Sequence, residues 1–157
     1  RPHLNTVEIR RILKTLEKTY PQIGLVVIDY LQLMADPLVK NANRAQEISS
    51  ITRELKNIAR EFNIPIIALS QLSRTIDSRL DPKPMLSDLR DSGSIEQDAD
   101  LVLMLYKNNR NVINNLTPGS SIVNLSIAKQ RNGPIGNTQL LFYEYLTKFE
   151  DYTLRDR

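Results

Sequence analysis

Two segments of the chain have apolar residues at the spacing of an amphipathic helix. Residues 5–19 predict a first helix, with Asn5 as its N-cap and Glu8 completing a capping-box pattern. Its apolar stripe is Val7, Ile12, Leu13 and Leu16. Residues 45–62 predict a second helix, because apolar side chains recur there at spacings of three and four: Ile48, Ile51, Leu55, Ile58 and Phe62.

Two short runs flank the second helix and contain apolar residues without alternation. They are GLVVIDY (24–30) and IPIIALSQ (64–71). A continuous apolar run of this length predicts a strand buried on both faces, as in a parallel sheet. Residues 24–71 therefore predict one strand–helix–strand unit, which is long enough for a crossover between parallel strands.

The second half of the chain predicts three more strands. A third apolar run, LVLMLY (101–106), is followed by strands at 122–129 and 138–143, and a short glycine-containing link between the last two favours an antiparallel hairpin. Residues 72–98 are too long and too polar for a plain connector, which is typical of a functional loop. The order predicts an α/β fold with parallel strands first and a hairpin at one edge.

Composition narrows the classes of function. The chain has 157 residues, 41% of them hydrophobic and 25% charged, which is typical of a globular domain. No apolar run approaches the ~20 residues of a membrane span, and we expect no signal peptide. There is no cysteine and only one histidine, His3, which excludes disulfides and argues against a His-based metal site or a Ser-His triad. The net charge of +3 is compatible with an anionic partner.

Polar side chains follow both buried runs. Asp29 ends the first run and Gln71 ends the second. Ligands of open α/β sheets bind beyond the carboxyl ends of the strands, where an acid can hold Mg²⁺ and an amide can contact a γ-phosphate. The alternative is that both residues are polar only because the chain leaves the core there.

The loop before the third strand contains a second candidate site, SDLRDSGSIEQDAD (87–100). Arg90 and the backbone N–H groups near Gly93 could hold a phosphodiester backbone, since most protein–nucleic acid hydrogen bonds go to phosphate and sugar. Acidic residues outnumber basic ones in this loop, so a solvated acidic loop is the alternative.

Two cations follow the apolar positions of the hairpin's first strand. Val123, Leu125 and Ile127 share one face of a regular strand, and Lys129 and Arg131 continue the same parity. An arginine finger with a companion lysine would project from its own domain onto a neighbour's nucleotide. The alternative is a strand end whose cations extend into solvent.

Four segments of the chain, taken together, point to one family. They are GLVVIDYLQLM, IIALSQLSR, SDLRDSGSIEQDADLVLMLY and AKQRNGPIG, in this order over essentially the whole chain. These segments resemble the C-terminal motor domain of DnaB-type replicative DNA helicases. The resemblance implies a RecA-like fold with a mostly parallel sheet flanked by helices, of which residues 1–157 form the C-terminal part. It also implies a homo-hexameric ring that moves on single-stranded DNA using ATP and Mg²⁺.

The resemblance assigns roles to individual residues. Asp29 matches the Walker B acid that positions Mg²⁺, and Gln71 matches the glutamine that senses the γ-phosphate. Lys129 and Arg131 match the lysine and arginine finger offered in trans to the adjacent subunit. The residues that match the loop contacting DNA are Arg90, Asp91 and Gly93.

The family also implies partners and a compartment. A primase and a helicase loader are the expected protein partners, with no membrane contact. Bacterial cytoplasm or plastid stroma is the expected location.

One element of such a motor is absent from the sequence. The phosphate-binding pattern G-x-x-x-x-G-K-[S/T] does not occur, because the five glycines at 24, 93, 119, 133 and 136 lack its spacing. We therefore expect the sheet to be incomplete at its N-terminal side. Two other hypotheses stay open: a RecA-like ATPase with another role, such as a recombinase, and a non-catalytic piece that only binds DNA or joins a ring.

We predict that residues 1–157 alone hydrolyse no ATP and tend to aggregate, because a sheet lacking its phosphate-loop strand exposes unpaired backbone groups. The measurement is phosphate release by the purified chain, with light scattering as a second readout. Magnesium-dependent turnover would refute the prediction.

Overall fold

The computed structural model describes residues 4–36, 43–73, 76, 78–79, 82–89, 93–107 and 119–152. The chain divides into two compact units. The first unit comprises Arg1–Ser73 and Ser87–Ala99, and the second comprises Arg74–Leu86 and Asp100–Arg157. That both belong to one RecA-like motor domain stays a prediction.

The first unit is built around a parallel strand pair. Its helices and strands are α1 (Thr6–Leu16), β1 (Val26–Ile28), α2 (Arg44–Glu61), β2 (Ile66–Ala68) and α3 (Gly93–Asp98). β1 pairs with β2 in parallel, with Val26 opposite Ile66 and Ile28 opposite Ala68. α2 makes the connection between them, so the predicted strand–helix–strand unit is confirmed.

Helix α1 begins where the sequence predicts, but its buried face differs from the prediction. The Asn5 side chain accepts a hydrogen bond from the Glu8 backbone N–H at 2.8 Å. The buried apolar residues are Ile9 and Leu13, whereas Val7 is 51% exposed. Positions separated by four lie on one helix face, and Val7 falls on another. The predicted stripe was therefore wrong at Val7 and at Leu16, which are both exposed, and it omitted the buried Ile9.

Among the described elements of the first unit, helix α2 contributes the most buried apolar residues to its core. Its N-terminus has a complete capping box, because Asn43 accepts from the Gln46 backbone N–H and the Gln46 side chain accepts from that of Asn43. Ile51 and Ile58 are fully buried. The spacing of apolar residues at 48, 51, 55 and 58 is confirmed as the packed face.

The parallel pair is not buried on both faces in the part of the chain that the structure describes. Val27 and Ile67 lie opposite each other and are 59% and 50% exposed, whereas Ile28 is buried. The prediction of a doubly buried strand is therefore wrong for these residues. The physical reason is that Ile28 points to the covered face of the pair, and strand side chains alternate between faces.

The second unit is a four-stranded antiparallel sheet. Its strands are β3 (Leu101–Lys107), β4 (Ser120–Gln130), β5 (Gly136–Tyr143) and β6 (Lys148–Asp151), paired in chain order. The predicted hairpin of β4 and β5 is confirmed. Strand β6 was not predicted, because KFED has a single apolar residue and all four positions are exposed.

A β-bulge corrects the predicted direction of the two cations. Leu103 pairs with Ile127 and its neighbour Val102 pairs with Lys129, so one extra residue of β4 lies between these pairs. Consecutive residues of β3 point to opposite faces, and cross-strand partners share a face. Lys129 therefore lies on the face opposite Ile127 and does not continue the apolar face that the sequence predicted.

Strand β3 has an apolar face on each side, and one of them is exposed. Val102 and Met104 are buried, whereas three leucines of the other face are about half exposed: Leu101, Leu103 and Leu105. A strand that is apolar on both faces is typical of one covered from both sides. The three leucines are neighbours on one face of the strand, so together they expose a larger apolar surface than a single exposed leucine does.

The α/β class is confirmed, and the predicted helices and strands occur in the predicted order, with α3 and β6 in addition to them. The described strands form one parallel pair and three antiparallel pairs, so the expectation of a mostly parallel sheet does not hold for them. Within the residues that the structure describes, no helix is long and apolar enough to cross a membrane.

Candidate functional site

Asp29 and Gln71 lie at the same edge of the parallel pair. The ladder continues past both strands, because the Leu69 N–H donates to the Ile28 carbonyl and the Leu31 N–H donates to the Leu69 carbonyl, both at 2.9 Å. Asp29 follows β1 directly and Gln71 follows β2 by three residues, and both residues are exposed. The parallel pairing thus brings the two predicted residues to one rim.

Gln32 joins the two chain segments at this rim. It lies in a 3₁₀ turn, Leu31–Leu33, shortly after β1. Its amide Nε2 donates to the Ser70 Oγ at 3.0 Å, and its Oε1 accepts from the Gln71 backbone N–H at 3.3 Å. One side chain therefore bridges the segment after β1 and the segment after β2.

The segment after Asp29 is also tied to the start of α2. The Arg44 guanidinium donates to the carbonyl of Met34 at 3.2 Å, and it forms an ion pair with Glu47. Glu47 in turn accepts from the Asp36 backbone N–H at 3.0 Å. That backbone hydrogen bond, together with Arg44, holds the pKa of Glu47 below its usual value although partial burial opposes the shift.

The segment after Gln71 contacts the predicted DNA loop. Leu72 and Leu89 form an isolated antiparallel bridge, and the Ser73 N–H donates to the Asp88 carbonyl at 2.9 Å. Leu89 directly precedes Arg90. Arg90 and Asp91 lie outside the described residues, and Gly93 is the exposed first residue of α3.

Two hydroxyl contacts fix α3 on α2. Ser49 and Ser94 share a hydrogen bond at 2.8 Å between their Oγ atoms. Thr52 Oγ1 donates to the Asp98 carboxylate at 2.7 Å, and Ile95 between them is buried. Residues 93–98, which were predicted as part of the loop at 87–100, therefore form a helix that is anchored in the core of the first unit.

The hairpin tip of the second unit is exposed. Residues 131–135 are all exposed, and Ile135 is 69% accessible to solvent. Arg131 is attached twice to Asp100: its backbone N–H donates to the Asp100 carbonyl at 2.9 Å, and its guanidinium pairs with the Asp100 carboxylate at 3.2 Å. Lys129 is half-buried.

The residues present fit a magnesium ion only as part of a larger site. Among the described residues, no group of three or more His, Cys, Asp or Glu side chains could hold a metal ion. Mg²⁺ beside a nucleotide is commonly held by one or two carboxylates, phosphate oxygens and water. The exposed Asp29 carboxylate fits that mode, and ATP phosphates would need a phosphate-binding loop that these 157 residues do not contain.

Sequence reasoning missed the residues that hold the candidate residues in place. Gln32, Arg44 and Asp100 act on neighbouring segments through contacts that no periodic pattern reveals. A weak signal existed for Gln32, a polar residue three positions after Asp29 among apolar neighbours. Asp100 gave a second weak signal, because it is an acidic residue directly before β3 and the start of a strand does not require one.

Comparison with known proteins decides the family. The family model of the DnaB-like helicase C-terminal domain matches residues 1–151. The chain belongs to this family. The predicted resemblance is therefore confirmed.

Relatives of this DnaB-like chain are replicative helicases. It is 58% identical over 156 residues to a probable replicative DNA helicase of Trieres chinensis, covering 99% of this chain and 34% of the relative. It is 47% identical over 148 residues to the replicative DNA helicase DnaC of Bacillus subtilis, covering 94% of this chain and 32% of that relative. The chain thus spans about a third of these relatives' length.

Solved structures confirm the RecA-like fold of this DnaB-like domain. A DnaB-like replicative helicase, described with its interactions with primase, matches with a TM-score of 0.86 at 38% identity, over 98% of this chain and 36% of that chain. A second solved structure, an ATPase domain, matches with a TM-score of 0.85 at 39% identity, over 96% and 52%. The RadB recombinase, at 24% identity and a TM-score of 0.57, shows the fold alone; it matches 93% of this chain and 60% of its own.

We predict that Glu47→Gln destabilises the domain at pH 7 by roughly 1 kcal/mol, because a charged acceptor makes the stronger hydrogen bond. The folded-state pKa of Glu47 is lowered, so its contribution is present above the unfolded pKa of about 4.3 and is lost as the pH falls through the folded value. The difference between wild type and Glu47→Gln should therefore shrink below about pH 4.5.

The measurement is urea unfolding at several pH values in the full-length protein that carries this chain. Glu17→Gln is the matched control, since Glu17 is exposed at the end of α1. A difference that stays constant from neutral to acid pH would contradict the prediction.

Proposed function

We propose that this chain is part of an ATP-driven, hexameric replicative DNA helicase that moves 5′ to 3′ on single-stranded DNA and unwinds duplex at the replication fork. The observation that carries the proposal is the β1–β2 pair of a DnaB-like domain, which brings Asp29 and Gln71 to one rim. The relatives' names, replicative DNA helicases, support the same activity.

At that rim, Asp29 would hold Mg²⁺, through water, and Gln71 would contact the γ-phosphate of ATP. Mg²⁺, when bound, neutralises charge on the phosphate oxygens. The uncharged amide of Gln71 donates a hydrogen bond without adding negative charge beside the phosphates. The phosphate-binding loop would come from residues outside these 157.

A change in the bound nucleotide would be transmitted to the DNA-contacting loop through the backbone that follows Gln71. The Leu72–Leu89 bridge and the Ser73–Asp88 hydrogen bond join this backbone to the residue before Arg90. We assign DNA-backbone contacts to Arg90, Asp91 and Gly93. A displacement of Gln71 would then move the start of the DNA loop directly.

The exposed hairpin tip would serve a neighbouring subunit. Arg131 and Lys129 would approach the ATP bound next to another copy's Asp29, which requires a ring of identical subunits. The double attachment of Arg131 to Asp100 supports this role, because a finger must be held in a defined direction before it meets an anion.

The proposed protein partners are a primase and a helicase loader. One matching DnaB-like structure is described together with primase, which supports the first of these for a protein of this family. The proposed location is bacterial cytoplasm or plastid stroma, where replication of a bacterial-type genome takes place.

A second candidate function is a non-catalytic RecA-like piece that only binds DNA or joins a ring. The absence of G-x-x-x-x-G-K-[S/T] from these 157 residues favours it for this chain by itself. ATP hydrolysis by the full-length protein separates the two functions.

We predict that Arg131→Ala in the full-length protein lowers ATP turnover about 10³-fold or more while nucleotide affinity stays within a fewfold, because a finger acts on the transition state. Phosphate release and binding of a fluorescent ATP analogue are the two measurements. Arg53→Ala is the matched control, since Arg53 is exposed on α2. Full activity of Arg131→Ala would refute the finger assignment.

Mixing variants tests whether the finger acts in trans. Arg131→Ala and Asp29→Asn subunits should each be inactive alone, and mixed rings should regain turnover at interfaces that pair an intact Asp29 with a neighbour's intact Arg131. A mixture no more active than its parents would place both groups in one subunit's site.

We predict that Arg90→Ala weakens single-stranded DNA binding and lowers the salt dependence of log K by about 0.7, the slope expected for one phosphate contact. The measurement is fluorescence anisotropy of a labelled oligonucleotide over a salt series. Arg60→Ala, an exposed residue at the end of α2, is the control. An unchanged salt slope would remove Arg90 from the DNA contact.

A further inference from the structure

The backbone around Gln71 has little burial to hold it. Gln71 and the nearby Leu69 are exposed, and the ladder between the β1 and β2 segments extends to the Leu31–Leu69 bond. Beyond Leu69, the side chain of Gln32 makes contacts from the β1 side. Immediately after Gln71, Leu72 and Ser73 turn to the segment at 88–89. Gln71 therefore lies where the chain passes from one partner to another.

The chemistry of the contacts fixes the orientation of the Gln32 amide. The backbone N–H of Gln71 can only donate, so the atom that faces it at 3.3 Å must be the Gln32 carbonyl oxygen. The amide nitrogen then faces the Ser70 hydroxyl at 3.0 Å, which accepts from it. A rotated amide would place a donor against the Gln71 N–H, so this contact selects the arrangement, and the Ser70 hydroxyl, which can donate or accept, is compatible with it.

We propose that Gln32 is a positioning residue that holds the Gln71 backbone, and thereby aims the Gln71 side chain at the nucleotide. This inference rests on the proposed function. Gln32 needs no contact with ATP or with Mg²⁺ for this role. One of its hydrogen bonds restricts the backbone of Gln71, the residue that would sense the γ-phosphate, and the other restricts the preceding Ser70. Gln32 thus links the segment that follows Asp29 to the segment that carries Gln71.

The direct test is hydrogen exchange in the full-length protein. Gln32→Met keeps the length of the side chain and removes both hydrogen bonds. We expect the Gln71 amide to exchange about fivefold faster, the factor that corresponds to the loss of one net backbone hydrogen bond. Gln22→Met is the matched control, because Gln22 is an exposed glutamine between α1 and β1. Unchanged exchange at Gln71 would overturn the proposal.

The functional test measures turnover and nucleotide discrimination together. With single-stranded DNA present, we expect Gln32→Met to lower kcat about tenfold with a smaller change in KM, since a misplaced group costs most in the transition state. The ratio of ATPγS affinity to ADP affinity should fall as well, which needs no turnover. A kcat and an affinity ratio both within about twofold of wild type would overturn the proposal.

A double-mutant cycle separates positioning from general stability. In Gln71→Ala the backbone N–H and its contact with Gln32 are kept, whereas the side chain that Gln32 is proposed to aim is gone. Adding Gln32→Met should therefore change neither the residual turnover nor the affinity ratio further. An equal loss in both backgrounds would assign Gln32 a structural role and overturn the proposal.

The outcomes also distinguish this inference from the proposed function. If the wild-type full-length protein neither hydrolyses ATP nor prefers ATPγS to ADP, the proposed function fails, and hydrogen exchange still reports whether Gln32 holds Gln71. If the wild type is active and Gln32→Met matches it in every readout, only the positioning role fails.

Discussion

The parallel pairing of β1 with β2 is the constraint on which the candidate site depends. Three residue pairs, from Val26–Ile66 to Ile28–Ala68, set the register of the two strands. Because the strands run in the same direction, their carboxyl ends meet at one rim, and a residue that leaves the first strand lies near one that leaves the second. A shift of this register by one residue would turn every following side chain to the other face. The backbone pairing of β1 with β2 therefore sets the position of Asp29 relative to Gln71, independently of which side chains these residues carry.

Beyond the end of the β1–β2 ladder, side-chain amides, carboxylates and guanidinium groups hold the backbone in place. Gln32 bridges the two segments at the rim, while Arg44 and Glu47 attach the residues after Asp29 to the start of α2. Polar contacts of this kind have defined geometry and contribute modest free energy each. Such contacts can fix the direction of the exposed side chains at this rim without burying them.

Most of the fold follows from local patterns in the sequence, and most of the support around the site does not. Apolar spacing located α2 and its buried face, and continuous apolar runs located β1 and β2. Asp29 and Gln71 were predicted as site residues because ligands of α/β sheets bind beyond the carboxyl ends of the strands. The bulge that places Lys129 on the face opposite Ile127 arises from the pairing of β4 with β3. The alternation of residues along β4 alone does not reveal it. The exposure of Val27 and the Arg131–Asp100 contact likewise depend on residues distant in the sequence. The roles of the site residues stay predictions.

The isolated bridge between Leu72 and Leu89 has a consequence for how the intervening chain can vary. Measured along the polypeptide, the two leucines are far apart, yet through space they are direct neighbours. The bridge closes this segment at its base, and closing a loop of twice the length costs only about 0.6 kcal/mol more. A change of length within the segment therefore leaves the short chain path from Gln71 to residues 88–89 as it is. Ile76 within the segment is buried, and residues 74–86 belong to the second compact unit, so packing rather than loop closure limits which changes this segment accepts.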